Sequence, residues 1–183
     1  MSRPNEKVPR RSAPLLWVSL CLFGAQGVAC HRDSWQEFRS KDGDFKVLLP
    51  GPSTTENLTS SSPQGTLIVH LVTVQTASET YTVAYNDYPK SVVEHSTSDA
   101  ILDLAVEGAL GESGRLVSSS PISLNKRSGR SVEAALPEGI RYRANFVLDA
   151  GRLYQVSVLE SPGSKHDEDV EKFLGSFQIG LDK

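Results

Sequence analysis

Few residues in this chain are of the types that carry chemistry, and their spacing limits what each can do. The densest group is His166-Asp167-Glu168-Asp169. A metal centre needs donors converging on one point, whereas four consecutive residues in the first turn of a helix point in different directions. Acidic residues at that position are expected from the helix dipole, so the run reads as a helix start. His70 alternates within an apolar strand pattern, and Glu94-His95 lies in a loop. Neither histidine has a spaced partner. Ser113, in Gly111-Glu112-Ser113-Gly114, is not a nucleophile elbow, which needs glycine both two residues before and two residues after the serine, and position 115 is arginine. There is no phosphate loop, dinucleotide fingerprint or Cys-His pair. No catalytic residue, metal site or cofactor is expected.

The remaining candidates are Arg141, Arg143, Asn145 and Gln155. They belong to Ile140–Leu159, where Ile140, Tyr142, Ala144, Phe146 and Leu148 alternate with Arg141, Arg143, Asn145 and Val147. Period two marks a half-buried strand. Asp149-Ala150-Gly151 marks a hairpin loop in which Gly151 is free to take positive φ. A three-residue loop sets Phe146 opposite Tyr154, Ala144 opposite Val156 and Tyr142 opposite Val158, all on one face. The other face then carries Arg141, Arg143, Asn145, Gln155 and Ser157. Two guanidinium groups beside amides suit an anionic partner, because arginine forms paired hydrogen bonds to carboxylates. A merely solvated polar face is the plain alternative.

The body that must position these residues is an ordinary soluble one. The 183 residues are 38% hydrophobic and 22% charged, which excludes wholesale disorder and a multi-span membrane protein and suits one domain. Four of the 19 basic and one of the 22 acidic side chains precede Cys30, so the rest carries 15 against 21, a net −6. That acidic balance argues against nucleic acid as a partner.

The first residues read as an address. Arg10-Arg11 precede the apolar run Leu15–Phe23, then small residues lead to Ala29-Cys30. A basic start, a short apolar stretch and small residues at a cut site make a secretory signal peptide. The stretch is too short and glycine-interrupted for a membrane span. Gly27-Val28-Ala29-Cys30 resembles the lipobox of bacterial lipoproteins, with Gly27 where that family usually has leucine. The resemblance implies acylation of Cys30 and a lipid membrane as partner, on the periplasmic side. Plain secretion with a leftover thiol, or an uncleaved anchor, is the alternative. The expected division is a signal peptide at 1–29, a tether and lead-in at 30–42, and one α+β domain at 43–183.

Along that domain, Phe45-Lys46-Val47-Leu48-Leu49 alternates as a strand ended by Pro50-Gly51-Pro52. Ser53–Gly65 reads as a Ser/Thr-rich loop. Thr66–Gln75 and Thr80–Asn86 read as strands, the second with Tyr81, Val83 and Tyr85 inward. Ser96 and Asp99 suggest a capping box before a helix whose apolar stripe includes Ile101, Leu102 and Val106. Arg115–Leu124 and Arg130–Leu136 form another strand pair around a basic turn. Ser164 and Asp167 suggest a second cap, with Val170, Phe173, Leu174 and Phe177 at i, i+3, i+4 and i+7. Strands, helix, strands, helix predicts α+β: an antiparallel sheet of six to seven strands with two main helices.

Phe45–Pro52, Gly151-Arg152-Leu153-Tyr154-Gln155-Val156 and Phe173-Leu174-Gly175-Ser176-Phe177 resemble uncharacterised bacterial lipoproteins with the PsbP/DcrB-like fold. The resemblance spans most of the chain after Trp35 and implies a non-enzymatic, membrane-tethered accessory domain of the kind that serves as an assembly factor or envelope component, with an envelope protein or an anionic ligand as the expected partner. It carries over no ligand residue. The competing expectation is a secreted hydrolase whose residues are scattered in sequence, with His70 or His95 beside a carboxylate and a hydroxyl.

Overall fold

A computed structural model describes residues 35–62 and 65–181. The expected signal peptide and Cys30 lie outside them. The β-branched and aromatic runs, which fit a pleated surface, form strands β1 (Gln36–Ser40), β2 (Phe45–Leu49), β3 (Thr54–Ser62), β4 (Gly65–Gln75) and β5 (Glu79–Asp87). Helices α1 (Lys90–His95) and α2 (Ser98–Leu110) follow, then strands β6 (Arg115–Leu124), β7 (Arg127–Ala135), β8 (Arg141–Asp149) and β9 (Arg152–Glu160). Helix α3 (Asp167–Ser176) and the short β10 (Gln178–Ile179) complete the described residues.

Seven strands make one antiparallel sheet in the order β3-β4-β5-β9-β8-β7-β6, and β1-β2-β10 make a smaller one. The architecture is α+β, as expected, with the main sheet covered on both faces. On one face Ile101, Leu102 and Val106 of α2 pack with Val132, Ala134, Tyr142, Ala144 and Phe146. On the other, Val170 and Phe173 of α3 and Phe45, Val47 and Leu49 of β2 pack on Tyr81, Val83, Tyr154, Val156 and Val158. Phe45 is the hub of that second core, with ring centroids 5.8 Å from Tyr85, 6.2 Å from Tyr154 and 5.5 Å from Phe177.

The β8–β9 register differs from the expected one by a single residue. Asp149 pairs with Arg152 and Val147 with Tyr154, so the loop is only Ala150-Gly151, with φ of 47° and 96°. Positive φ at both central residues gives the two-residue hairpin turn whose twist matches the flanking strands. Phe146 therefore lies opposite Gln155, not Tyr154. Because both faces are buried, either register gathers apolar side chains somewhere, and alternation alone could not choose.

Other boundaries move for local reasons. Ser53–Gly65, expected as a loop, contains β3, whose threonines and serines pair residue for residue with β4. The lead-in contributes β1, which pairs with β2. Residues 94–95, expected in a loop, belong to α1. The cap of α2 is Thr97 rather than Ser96: its Oγ1 accepts from the Ala100 amide at 3.2 Å. Strand β7 begins at Arg127 because Asn125 and Lys126 take φ of 51° and 68° in a tight turn.

The spacing of α3 places Phe173 fully inside, its ring 5.2 Å edge-on from Tyr81. Phe173→Ala is expected to cost about 3–5 kcal/mol. Leu174, only partly buried against the same core, should cost less than Phe173 when truncated. Urea melts of the two variants check the order.

Candidate functional site

Arg141 and Arg143 are two apart on β8 and share the face that carries Val156 and Val158 of β9. Their heads run to the end of the sheet, where the register sets Arg141 directly opposite Glu160. The Glu160 side chain is 1% exposed. It accepts from Arg143 Nε at 2.7 Å and Nη2 at 3.1 Å, and from Arg141 Nη2 at 2.6 Å. A second layer comes from α3. Asp167 accepts from Arg141 Nη2 at 2.6 Å and lies 3.0 Å from Arg143 Nη2, and Glu171 accepts from Arg143 Nη1 at 3.3 Å. The bond to Glu160 comes first in holding the Arg141 guanidinium well above its ordinary range, and the bond from Arg141 holds the Asp167 carboxyl below its own.

Glu160 has an acidic neighbour across the sheet. Its partner on β5 is Glu79, also buried. Like charges opposite each other are destabilising unless each is separately satisfied. Thr76 Oγ1 donates to Glu79 Oε2 at 2.8 Å and Ser78 Oγ to Oε1 at 2.9 Å. Ser164 Oγ also donates to Oε1, and His166 Nδ1 lies 2.8 Å from it. Ser164 was expected to cap α3; here its hydroxyl serves Glu79, and the residue at the helix cap is His166. Burial alone would raise the Glu79 pKa, but these hydrogen bonds outweigh it and bring the carboxyl down to about 2.

Beside this seam lies a trough of about 350 Å³ between α3 and the outer strands. Its floor follows the register. Ser118, Glu133 and Arg143 form one row across β6, β7 and β8, and Ser120, Ser131 and Asn145 form the next. Glu171, Leu174 and Gly175 of α3 form its wall. Of the four residues singled out in the sequence, Arg141, Arg143 and Asn145 line the trough. Gln155 does not: it faces the other way, donating to Tyr142 Oη at 3.0 Å. Glu79, Glu133, Glu160 and the three serines were not singled out, although an Arg-x-Arg strand folding back onto a lone Glu is a legible signal once the turn length is right.

The trough is not a free cationic surface. Both guanidinium groups are taken up by Glu160, Asp167 and Glu171. Glu133, Asn145, Ser118, Ser120 and Ser131 carry no side-chain hydrogen bond or ion pair among the described residues. What remains available is hydroxyl, amide and carboxylate.

The histidines are used otherwise. His70 Nδ1 lies 2.8 Å from Asn57 Oδ1, and its ring stacks on Tyr85 at 4.6 Å. His95 Nδ1 lies 2.7 Å from the Ser91 carbonyl oxygen. Among the described residues no group of three or more His, Cys, Asp or Glu could hold a metal ion, and no helix is long and apolar enough to cross a membrane.

No protein-family model matches the chain, and no curated protein matches it. Among solved structures, cyanobacterial PsbP (CyanoP) from Synechocystis sp. PCC 6803 is similar, with a TM-score of 0.55 and 12% identity, over 86% of this chain and 98% of that one. The fold is PsbP-like. A protein of unknown function from Pseudomonas aeruginosa, PA94, also aligns over 70% of this chain and 83% of its own, at 10% identity and a TM-score of 0.32. At 12% identity the PsbP-like likeness is one of fold.

Two outcomes follow from the seam. Because the Glu79 pKa lies below its unfolded value, its stabilisation is complete above pH about 4.5 and is lost as pH falls toward about 2, on the order of 3 kcal/mol. Urea melts of the Glu79→Gln variant should show lower stability at neutral pH and a shallower acid slope. Arg143→Gln removes the paired bonds to a buried carboxylate and should cost about 3–5 kcal/mol. A double variant with Glu160→Gln should recover part of that loss in the same melts.

Proposed function

We propose that this chain is a lipid-anchored extracytoplasmic module that binds an envelope protein without chemical turnover. The trough is the contact surface, and a basic side chain of the partner meets Glu133. The observation that carries this reading is the charge state of the trough. Its two arginines are already engaged by Glu160, Asp167 and Glu171, three carboxylates for two guanidinium groups, and Glu133 in the lining has no ion pair among the described residues. An anionic ligand, which the two arginines suggest in sequence, would meet that excess with like charge. A lysine or arginine on a protein surface complements it and can use the serines and Asn145 for hydrogen bonds. The PsbP-like fold supports the accessory role, and the Ala29-Cys30 junction supports the anchor.

Both parts can be tested in native membranes. Cys30→Ala should abolish acylation and leave uncut precursor, seen by mass spectrometry of the amino terminus. An unmodified mature terminus in the parent protein would remove the anchor from this reading. A photocrosslinker at Ser120 should capture a partner, and Glu133→Arg should abolish that adduct with the melting midpoint unchanged. An adduct that survives Glu133→Arg would remove the trough from it.

A further inference from the structure

β3 and β4 continue together past the rest of the sheet. They pair from Thr54 and Thr73 out to Ser62 and Gly65, whereas β5 meets β4 only over His70–Gln75. β3 is itself an outer strand. From Leu58 and Val69 onward the two strands therefore form a ribbon of five residue pairs with both edges open among the described residues. At ~3.4 Å per residue it reaches about 17 Å.

The composition of this ribbon is unusual for so open an element. In a chain that is 22% charged, no Asp, Glu, Lys or Arg occurs from Asn57 through Ser78. The open edge of β4 reads Thr66-Leu67-Ile68-Val69, a strongly strand-forming run. Leu58 and Ile68, on opposite faces of the ribbon, are 47% and 49% exposed. Proteins normally guard such edges with charges, prolines or bulges. The sheet's other outer strand is guarded in this way. β6 begins at Arg115, shifts register between Leu116 and Ser118, and contains Pro121. Thr66–Val69 has none of these devices.

We propose that Leu67–Val69 of β4 pairs antiparallel with the same segment of a second copy of this chain, with Ile68 opposite Ile68. A two-fold axis perpendicular to the ribbon relates the copies and joins their sheets edge to edge. In such a pair a residue on the axis lies opposite itself, so a charge there would face its own like charge. A segment without charge is what the symmetry requires. The charge of the rest of the chain makes the same selection: with a net −6 from Cys30 onward, two copies repel across most approaches. At the ribbon that repulsion is weakest, and open main-chain donors and acceptors are available on both sides. A strand from an unrelated protein has no such reason to find an uncharged edge, and the lipid surface would leave those main-chain groups unpaired.

The test uses the full chain in a non-ionic detergent, with self-association followed by sedimentation equilibrium. The parent protein should dimerise reversibly. Ile68→Lys and Ile68→Glu, each alone, should weaken the dimer at least roughly tenfold with unchanged melting midpoints. Mixing the two variants should restore association, because opposite charges then meet across the axis. Leu104→Lys, on the 66% exposed site of α2, should leave the dimer intact. A parent that stays monomeric at its highest soluble concentration would overturn the proposal, as would charge variants that associate like the parent or a mixture that fails to recover. A monomeric parent that binds phosphatidylglycerol vesicles, and loses them on Ile68→Lys, would overturn it in favour of a membrane-contacting ribbon.

Discussion

Asp149 pairs with Arg152 across a turn of two residues, and that register distributes the side chains of β8 and β9 between two cores. Phe146, Ala144 and Tyr142 go to the layer under α2, while Val147, Tyr154, Val156 and Val158 go to the layer under α3 and the small sheet. The two layers share one backbone plane, so neither can slip without exposing the other. A shift of one residue would turn Arg141 and Arg143 toward α2 and bury them against Leu102 and Val106. The cost of placing those charges among apolar side chains makes the turn geometry, carried by Ala150 and Gly151, a constraint on the whole sheet.

The same register creates a line of charge through the fold. Glu79, Glu160 and Arg141 lie side by side on β5, β9 and β8, and Arg143, His166, Asp167 and Ser164 close over them. Buried ion pairs of this sort contribute little net stability compared with apolar packing, and they penalise every arrangement in which one member lacks its partner. Here the members come from the β4–β5 turn, the β8–β9 hairpin and the start of α3. The seam therefore dictates where α3 begins and how it sits on the sheet. The acidic residues 167–169 have a role beyond the helix dipole, since Asp167 reaches the arginines from the first turn.

Much of this architecture is legible in the sequence, and the exceptions have physical causes. The alternation of Phe45, Val47 and Leu49, of Tyr81, Val83 and Tyr85, and the spacing of Val170 and Phe173 all point to side chains that are buried. β3 is not legible, because its Ser/Thr composition is equally that of a loop, and pairing with β4 decides. Arg141, Arg143 and Asn145 could be placed on one face by alternation within a single strand. Gln155 could not, since its side depends on whether the loop holds two residues or three. Glu79 and Glu160 sit at strand ends, where a lone acid reads as solvated. Only the cross-strand register reveals that they meet.

The small sheet has a consequence for how the molecule is made. β2, near the beginning of the domain, pairs with β10 near its end, and the Leu181 amide bonds to Asp44 across 137 positions of sequence. Phe45 shares its core with Phe177 and Ile179. The first strands to leave the ribosome thus emerge long before the segments that cover them. Until residues 177–181 arrive, Phe45, Val47 and Leu49 have half a core. Such distant pairings favour slow, late closure. The chain stays open while it is being made and locks only once residues 177–181 have emerged.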